Sequence, residues 1–231
     1  MEPARKLVVL DIDGTLTDSI ALHQAAFLAA IESCNFPNLD RNWSGYRHHT
    51  DTAIFEEAWF NAHGEAPTAE DRNVFHERLE AEFERAHVGV EIEEIRGATC
   101  FVQALRERGW AVVFATGGLR RLSRSKLRAV GIPFSEEVLI TASEHTTRHD
   151  LVSHAIKAAS AQSGSGPTAI VSIGDGLWDM ETAADLEVPF LGVGIGAKAD
   201  DLQRRGAVVI PDFHDLPSVF NALESILKTS A

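Results

Sequence analysis

Short, continuously apolar runs recur along the chain. The first covers residues 7–10, is built from leucine and valine, and stops at Asp11. Runs of this kind are typical of strands that are buried on both faces of a parallel sheet. The same pattern predicts further strands at residues 111–115, 138–140, 169–173, 190–193 and 207–210.

Helical periodicity fills the intervals between these runs. A helix predicted at residues 99–108 ends at Gly109, and one at 120–130 ends at Gly131 with Pro133 just beyond, as helix C-termini commonly do. Further helices are predicted at residues 149–161, 179–186 and 216–227. Strands that alternate with helices predict an α/β fold with a doubly wound parallel sheet and right-handed crossovers.

Residues 19–87 break this alternation. They contain helical patterns at 20–33, 52–62 and 68–87 and no convincing buried strand. We therefore expect an all-helical cap inserted after the first strand, with residues 1–18 and 88–231 forming the α/β core. The polar stretch 163–167 is predicted to be a surface loop within that core.

Composition narrows the range of functions. A hydrophobic fraction of 45% and a charged fraction of 24% are ordinary for a globular protein with a sizeable core. The net charge of -13 argues against a nucleic-acid or anionic-membrane surface, since such surfaces need clustered Lys and Arg. A small phosphorylated substrate needs only a few local positive groups and is compatible with this charge.

The compartment is predicted from the cysteines and the N-terminus. Cys34 and Cys100 are the two cysteines, and neither lies in a metal-ligand pair, so a reducing environment is expected. The N-terminus lacks the apolar stretch of a signal peptide, and no run approaches transmembrane length. A cytoplasmic location is the expectation.

Polar residues suited to one reaction follow the predicted strands. Asp11 and Asp13 follow the first strand, Thr116 and Gly117 end the second, and Asp175 follows the strand at 169–173, with Asp179 close behind. In an open α/β sheet, ligands bind beyond the carboxyl ends of the strands. A cluster of carboxylates would repel itself without a cation, and hard oxygen ligands favour Mg²⁺.

These motifs resemble those of the haloacid dehalogenase superfamily of hydrolases. The resemblance rests on the run Asp11-Ile12-Asp13-Gly14-Thr15-Leu16-Thr17, a strand ending in Thr116, and the run Gly174-Asp175-Gly176-Leu177-Trp178-Asp179, in that order. It covers nearly the whole chain, and the helical insertion resembles that family's small cap, as in phosphoglycolate phosphatases and β-phosphoglucomutases.

The resemblance implies roles for these residues. Asp11 would attack phosphorus to form an aspartyl-phosphate, and Asp13 would act as the acid and base. Mg²⁺ would be held by Asp11, the backbone carbonyl of Asp13 and Asp175, with Asp179 as a ligand or nearby. Asp179 is also a candidate helix cap. Thr116 and the backbone N–H of Gly117 would hold phosphate oxygens.

The family's usual lysine is replaced by an unexpected residue. The matching stretch places Arg148 there, and arginine can grip phosphate through two hydrogen bonds. Lys126 and Lys157 are the alternatives. Lys126 lies among Arg121, Arg124 and Arg128, which favours a solvated basic helix face, and Lys157 lies well inside the following helix.

The cap is expected to select the substrate. Arg47, His48 and His49 belong to its most distinctive stretch and are predicted to contact the leaving group. The alternative is that the histidines are solvated and that Thr50 or Asp51 merely caps the next helix. A zinc site is disfavoured, and the tryptophans at 59, 110 and 178 are interpreted as packing residues.

The leading functional hypothesis is a phosphatase of a small phosphorylated metabolite such as phosphoglycolate. A phosphomutase of the β-phosphoglucomutase kind is the alternative, and a catalytically idle binding module on the same fold is a third. Dehalogenation is disfavoured because halide departure needs neither Asp13 nor the metal carboxylates. The natural substrate and the oligomeric state stay open at this point.

Overall fold

A six-stranded sheet forms the centre of the molecule in the computed structural model, which describes residues 6–163 and 166–229. Its strands are β1 (Lys6–Leu10), β4 (Ala111–Thr116), β5 (Leu139–Thr141), β6 (Ala169–Gly174), β7 (Phe190–Val193) and β8 (Val208–Ile210). They lie in the order β5-β4-β1-β6-β7-β8, and all neighbouring strands are parallel. A two-stranded antiparallel ribbon pairs β2 (Thr17–Asp18) with β3 (Glu93–Glu94).

Helices pack against this sheet and connect its strands. The sheet-associated helices are α4 (Ala98–Glu107), α5 (Arg120–Ala129), α6 (Arg148–Ser163), α7 (Leu177–Asp185), α8 (Ala197–Arg204) and α9 (Leu216–Thr229). Strand β1 is buried from Leu7 to Leu10, and the main apolar cluster surrounds it. Continuous burial explains why β1 is apolar at successive positions rather than at alternate ones. The predicted α/β fold with a doubly wound parallel sheet is therefore confirmed.

The remaining helices form a separate group over the sheet. They are α1 (Ile20–Glu32), α2 (Asp51–His63) and α3 (Ala69–His87), with a short 3-10 turn at Trp43–Gly45. At the centre of a second apolar cluster, Phe55 stacks on Phe75 and Phe27 packs edge-on against Phe75. Leu119 and Leu122 of the core complete this cluster. The predicted domain boundaries at residues 19 and 87 remain predictions.

Comparison of the predicted and observed elements shows which of them hydrophobic periodicity can identify. The six predicted sheet strands match the observed strands to within one residue at either end. Helix α8 and the β2–β3 ribbon were not predicted. An eight-residue polar helix and strands of two residues each carry too few periodic positions to be recognised. Gly164 and Ser165 of the predicted surface loop lie outside the described residues.

Within the described part of the chain, none of the helices is both long and apolar enough to cross a membrane.

Candidate active site

Three carboxylates meet at the C-terminal edge of the sheet. Asp11 follows β1, Asp175 follows β6, and Asp179 lies in the first turn of α7. Leu10 pairs with Ile173 across β1 and β6, so the two strand ends are level. One carboxylate oxygen from each aspartate lies within 4.8 Å of the others, and all three residues are buried.

This cluster is short of positive charge. Burial, followed by repulsion from Asp179, raises the pKa of Asp11 well above its usual range. The same two causes, in the same order, raise the pKa of Asp175 to about 6. A divalent cation would relieve both effects, because it favours ionised oxygen ligands. The donor set of buried carboxylates fits a hard cation such as Mg²⁺.

Arg148 bridges two of these carboxylates. Its Nη1 lies 3.2 Å from Asp11 Oδ1 and 2.6 Å from Asp179 Oδ1, and its Nε donates to the backbone carbonyl of His49 at 3.0 Å. Burial alone would lower the pKa of Arg148, but Asp179 and Asp11 raise it overall, so the guanidinium stays charged. The structure thus places Arg148 beside Asp11, whereas Lys157 is exposed on α6.

Asp179 also caps helix α7, as its alternative interpretation from the sequence predicted. Its Oδ2 accepts a hydrogen bond from the backbone N–H of Gly176 at 3.1 Å, at the start of α7. The other oxygen faces Arg148. One side chain therefore fixes the helix start and joins the acidic cluster.

The prediction that Lys126 is solvated was wrong. Its side chain is 0% exposed, and its Nζ lies 2.6 Å and 2.8 Å from the two carboxylate oxygens of Asp13. Lys126 shares the buried face of α5 with Leu122, Ser123 and Leu127, which follow helical spacing. The prediction of exposure followed from the charge that Lys126 shares with the neighbouring arginines. Its helical spacing from the apolar residues of α5 indicated burial instead.

Asp13 is ionised by this contact. Burial alone would raise its pKa, but attraction to Lys126, together with a hydrogen bond from Lys126, lowers the pKa to about 2. Ser19 Oγ also donates to Asp13 Oδ1. Asp13 is therefore a carboxylate at neutral pH.

Thr116 and Gly117 lie where strand β4 meets the cap. Thr116 is buried at the end of β4, and the carbonyl of Gly117 accepts from the backbone N–H of Asp51 at 2.8 Å. A Cβ on Gly117 would lie 2.6 Å from the carbonyl oxygen of His49. A glycine is required there because the cap backbone approaches so closely.

A cavity of about 130 Å³ lies between core and cap and is lined by most of these groups. Its wall includes Asp11, Asp13, Asp175, Arg148, Thr116 and Gly117 from the core, and Ile20, His23, Gln24, Phe27, Trp43, His49, Thr50, Asp51 and Ile54 from the cap side. The predicted phosphate-binding residues Thr116, Gly117 and Arg148 thus line one cavity together with Asp11, Asp13 and Asp175.

The three predicted cap residues have different surroundings. His49 lines the cavity and stacks on Trp178 with ring centroids 4.8 Å apart, and burial followed by Arg148 lowers its pKa. Arg47 is exposed, and its backbone N–H donates to Glu57 at 3.0 Å. Neither Arg47 nor His48 belongs to the cavity wall formed by the described residues. Thr50 is the N-cap of α2, accepting from Ala53 N at 3.1 Å, as the alternative interpretation expected.

Sequence reasoning missed several residues of this wall. His23 and Asp51 lie 2.8 Å apart, and Lys198 of the unpredicted helix α8 lies 3.3 Å from Asp175. Trp178, interpreted as a packing residue, also borders the cavity, and its buried indole N–H has no partner among the described residues. The position of Trp178 between Asp175 and Asp179 in one motif indicated that it would lie near the acidic cluster.

The parallel sheet, the covering helices and the acidic cluster at the strand ends define a capped α/β enzyme core. The haloacid dehalogenase-like hydrolase family model matches residues 5–186, so the chain belongs to this family of hydrolases. The expected family resemblance is confirmed.

Solved structures share the fold. A hydrolase from Pseudomonas syringae is 24% identical with a TM-score of 0.72, covering 97% of this chain and 99% of that one. A protein described as a putative β-phosphoglucomutase from Bacteroides vulgatus is 20% identical with a TM-score of 0.73, covering 97% and 91%. A predicted phosphoglycolate phosphatase from Haemophilus somnus is 16% identical with a TM-score of 0.63, covering 95% and 100%. None of the curated proteins matches the chain in sequence.

Proposed function

We propose that the protein is a magnesium-dependent phosphatase that hydrolyses a small phosphate monoester through an aspartyl-phosphate on Asp11. The observation that carries this proposal is the position of Asp11 in the wall of a cavity between core and cap, with Arg148 at 3.2 Å and two further carboxylates beside it. A carboxylate held next to a cation can meet a phosphate group that it would otherwise repel.

The first half of the reaction transfers the phosphoryl group to the protein. An oxygen of Asp11 forms a bond to phosphorus while the bond from phosphorus to the ester oxygen breaks, and the departing oxygen takes up the proton of the monoanionic phosphate group by way of Asp13. The guanidinium of Arg148 offsets charge on the phosphoryl group, and Thr116 with the N–H of Gly117 holds its oxygens. Asp11, Asp175, Asp179 and the backbone carbonyl of Asp13 would hold Mg²⁺, which supplies further charge neutralisation when bound.

The second half returns Asp11 to its free form. A water oxygen bonds to phosphorus, the bond between phosphorus and Asp11 breaks, and the water proton passes to Asp13. Asp13 enters this step as an ionised carboxylate, takes up the proton and then releases it to solvent. The products of the full reaction are the alcohol and inorganic phosphate.

The cavity wall indicates the class of alcohol. Ile20, Phe27, Trp43 and Ile54 form an apolar face on the cap side, with His23 and Gln24 as polar groups. Among the described cap residues, no lysine or arginine reaches this wall. A small phosphoglycolate-like monoester suits a cavity of this size. A phosphate ester of an uncharged alcohol would be accepted at least as well, because the cap offers no lysine or arginine to a carboxylate on the substrate.

The test is phosphate release from a panel of small phosphate esters with Mg²⁺, including phosphoglycolate and alkyl phosphates whose alkyl group carries no charge. We expect turnover in the wild-type protein and a loss of at least about 1,000-fold in the variant Asp11→Asn, which removes the nucleophile. Thermal unfolding of the variant controls for folding. Retained activity in the folded variant would refute covalent catalysis by Asp11, and turnover that depends on a sugar bisphosphate would indicate a phosphomutase.

A further inference from the structure

The carboxylate of Asp13 is bound by Lys126, a residue that has no part in the proposed reaction. Lys126 Nζ contacts both oxygens of Asp13, and the lysine side chain is 0% exposed while that of Asp13 is 18% exposed. Asp13 borders the cavity, whereas Lys126 lies behind it. Burying an ammonium group is costly unless its charge is matched and hydrogen-bonded, and Asp13 provides that match.

A chain of hydrogen bonds continues from Lys126 into the cap. Lys126 Nζ lies 2.8 Å from Nδ1 of His23, and Nε2 of His23 lies 2.8 Å from Asp51 Oδ1. An ammonium group can only donate, so Nδ1 accepts and Nε2 carries the hydrogen donated to Asp51. The second oxygen of Asp51 accepts from the backbone N–H of Leu119 at 3.0 Å. Each member is therefore held in one orientation.

We propose that Lys126 is a positioning residue that aims the carboxylate of Asp13 at the ester oxygen and at the attacking water. His23 and Asp51 hold Lys126 from the cap side, so the orientation of Asp13 depends on a correctly docked cap. This inference rests on the proposed function, in which Asp13 exchanges a proton with both oxygens. An acid or base in hydrogen-bonding position contributes about 10²–10⁴-fold to such steps.

The experiment compares leaving groups in the variants Lys126→Met and Lys126→Gln. An alkyl phosphate needs a proton on its departing oxygen, whereas p-nitrophenyl phosphate has a leaving group stable enough to depart without one. We expect kcat/KM of Lys126→Met to fall about 100-fold with the alkyl ester and less than about 10-fold with the aryl ester. Lys126→Gln should be more active than Lys126→Met on the alkyl ester, since its amide can still donate to Asp13.

Lys157→Met is the matched control, because it removes an exposed lysine of α6. Both esters should keep kcat/KM within about 2-fold in this control, as expected of a surface substitution. Thermal unfolding establishes which variants are folded. If Lys126→Met does not fold, the ratio of the two esters in Lys126→Gln decides the question.

A double-mutant cycle tests whether Lys126 acts through Asp13. Turnover of p-nitrophenyl phosphate still needs Asp13 to activate water, so kcat should fall in Asp13→Asn. Adding Lys126→Met to that variant should cause no further loss, whereas a purely structural role would multiply the two losses.

The inference is overturned by equal proportional losses on both esters in a folded Lys126 variant, or by multiplicative losses in the cycle. Failure of the proposed function is distinguishable, because then the wild-type protein releases phosphate from neither ester or Asp11→Asn remains active.

Discussion

At the scale of single residues, Arg148 stands at the centre of the acidic cluster. It contacts Asp11 and Asp179 through the same nitrogen, and the backbone of His49 through another. A planar guanidinium offers several fixed donors, whereas a lysine ammonium offers one compact charge. Arg148 can therefore hold a carboxylate on each side and still belong to the cavity wall.

We expect Arg148→Ala to lower kcat/KM by at least about 100-fold, because two buried carboxylates lose their shared cation. Arg148→Lys should recover a part of this loss, since it restores the charge but not the fork of donors. Kinetics with a phosphate ester and Mg²⁺ provide the measurement. Arg128→Ala, which changes an exposed arginine of α5, is the control. Near-normal turnover in Arg148→Ala would remove Arg148 from the site.

Residue positions were predictable where strand order alone determines them. Asp11 and Asp175 follow adjacent parallel strands, so their proximity follows from the sheet. Lys126, His23 and Asp51 come together only through the docking of cap helices on α5, and strand periodicity contains no information on that docking. The roles assigned to Asp11, Asp13 and Arg148 stay predictions until the kinetics are measured.

At the scale of elements, the N-terminus of α2 joins the cap to the core. Thr50 Oγ1 donates to the carbonyl of Thr146 at 2.6 Å, and Thr52 Oγ1 donates to that of Ala142 at 2.6 Å. The backbone N–H of Asp51 donates to Gly117. The first turn of one cap helix thus makes successive hydrogen bonds to loops at the carboxyl edge of the sheet.

Thr50→Ala and Thr68→Ala separate helix capping from cap docking. Both threonines are N-caps, but Thr68 caps α3 in an exposed capping box, while Thr50 also contacts the core. We expect each variant to lose about 1 kcal/mol of unfolding free energy. Only Thr50→Ala should also lower kcat/KM, by about 3- to 10-fold, because it weakens closure over the substrate. Equal kinetics in the two variants would contradict a role for this contact in closure.

At the scale of the whole molecule, the acidic cluster makes stability depend on pH and metal. The raised pKa of Asp175, about 6, means that the folded protein binds its proton more tightly than the unfolded chain does. This contribution is fully present below the ordinary pKa of 3.8 and is lost as the pH rises through about 6. Bound Mg²⁺ would replace the proton and stabilise the folded protein most above that pH.

We therefore expect Asp175 to lower the unfolding free energy of the metal-free protein by about 1 kcal/mol between pH 5 and pH 7. Denaturant unfolding in the presence of a chelator measures this change. Asp175→Asn is the control that isolates the residue, since an amide does not titrate, and it should show a flatter pH dependence. Addition of Mg²⁺ should raise the wild-type value more at pH 7 than at pH 5. An identical pH profile in Asp175→Asn would contradict the assignment.

The contact between Arg148 and the carbonyl of His49 couples the position of the cap to the reactivity of Asp11. His49 belongs to the cap-side segment, whereas Arg148 serves Asp11 in the core. A cap that lifts to admit substrate would withdraw one anchor of the guanidinium and leave the nucleophile less well prepared. The open protein would be the less reactive one, so both halves of the reaction would run only while the cap is closed.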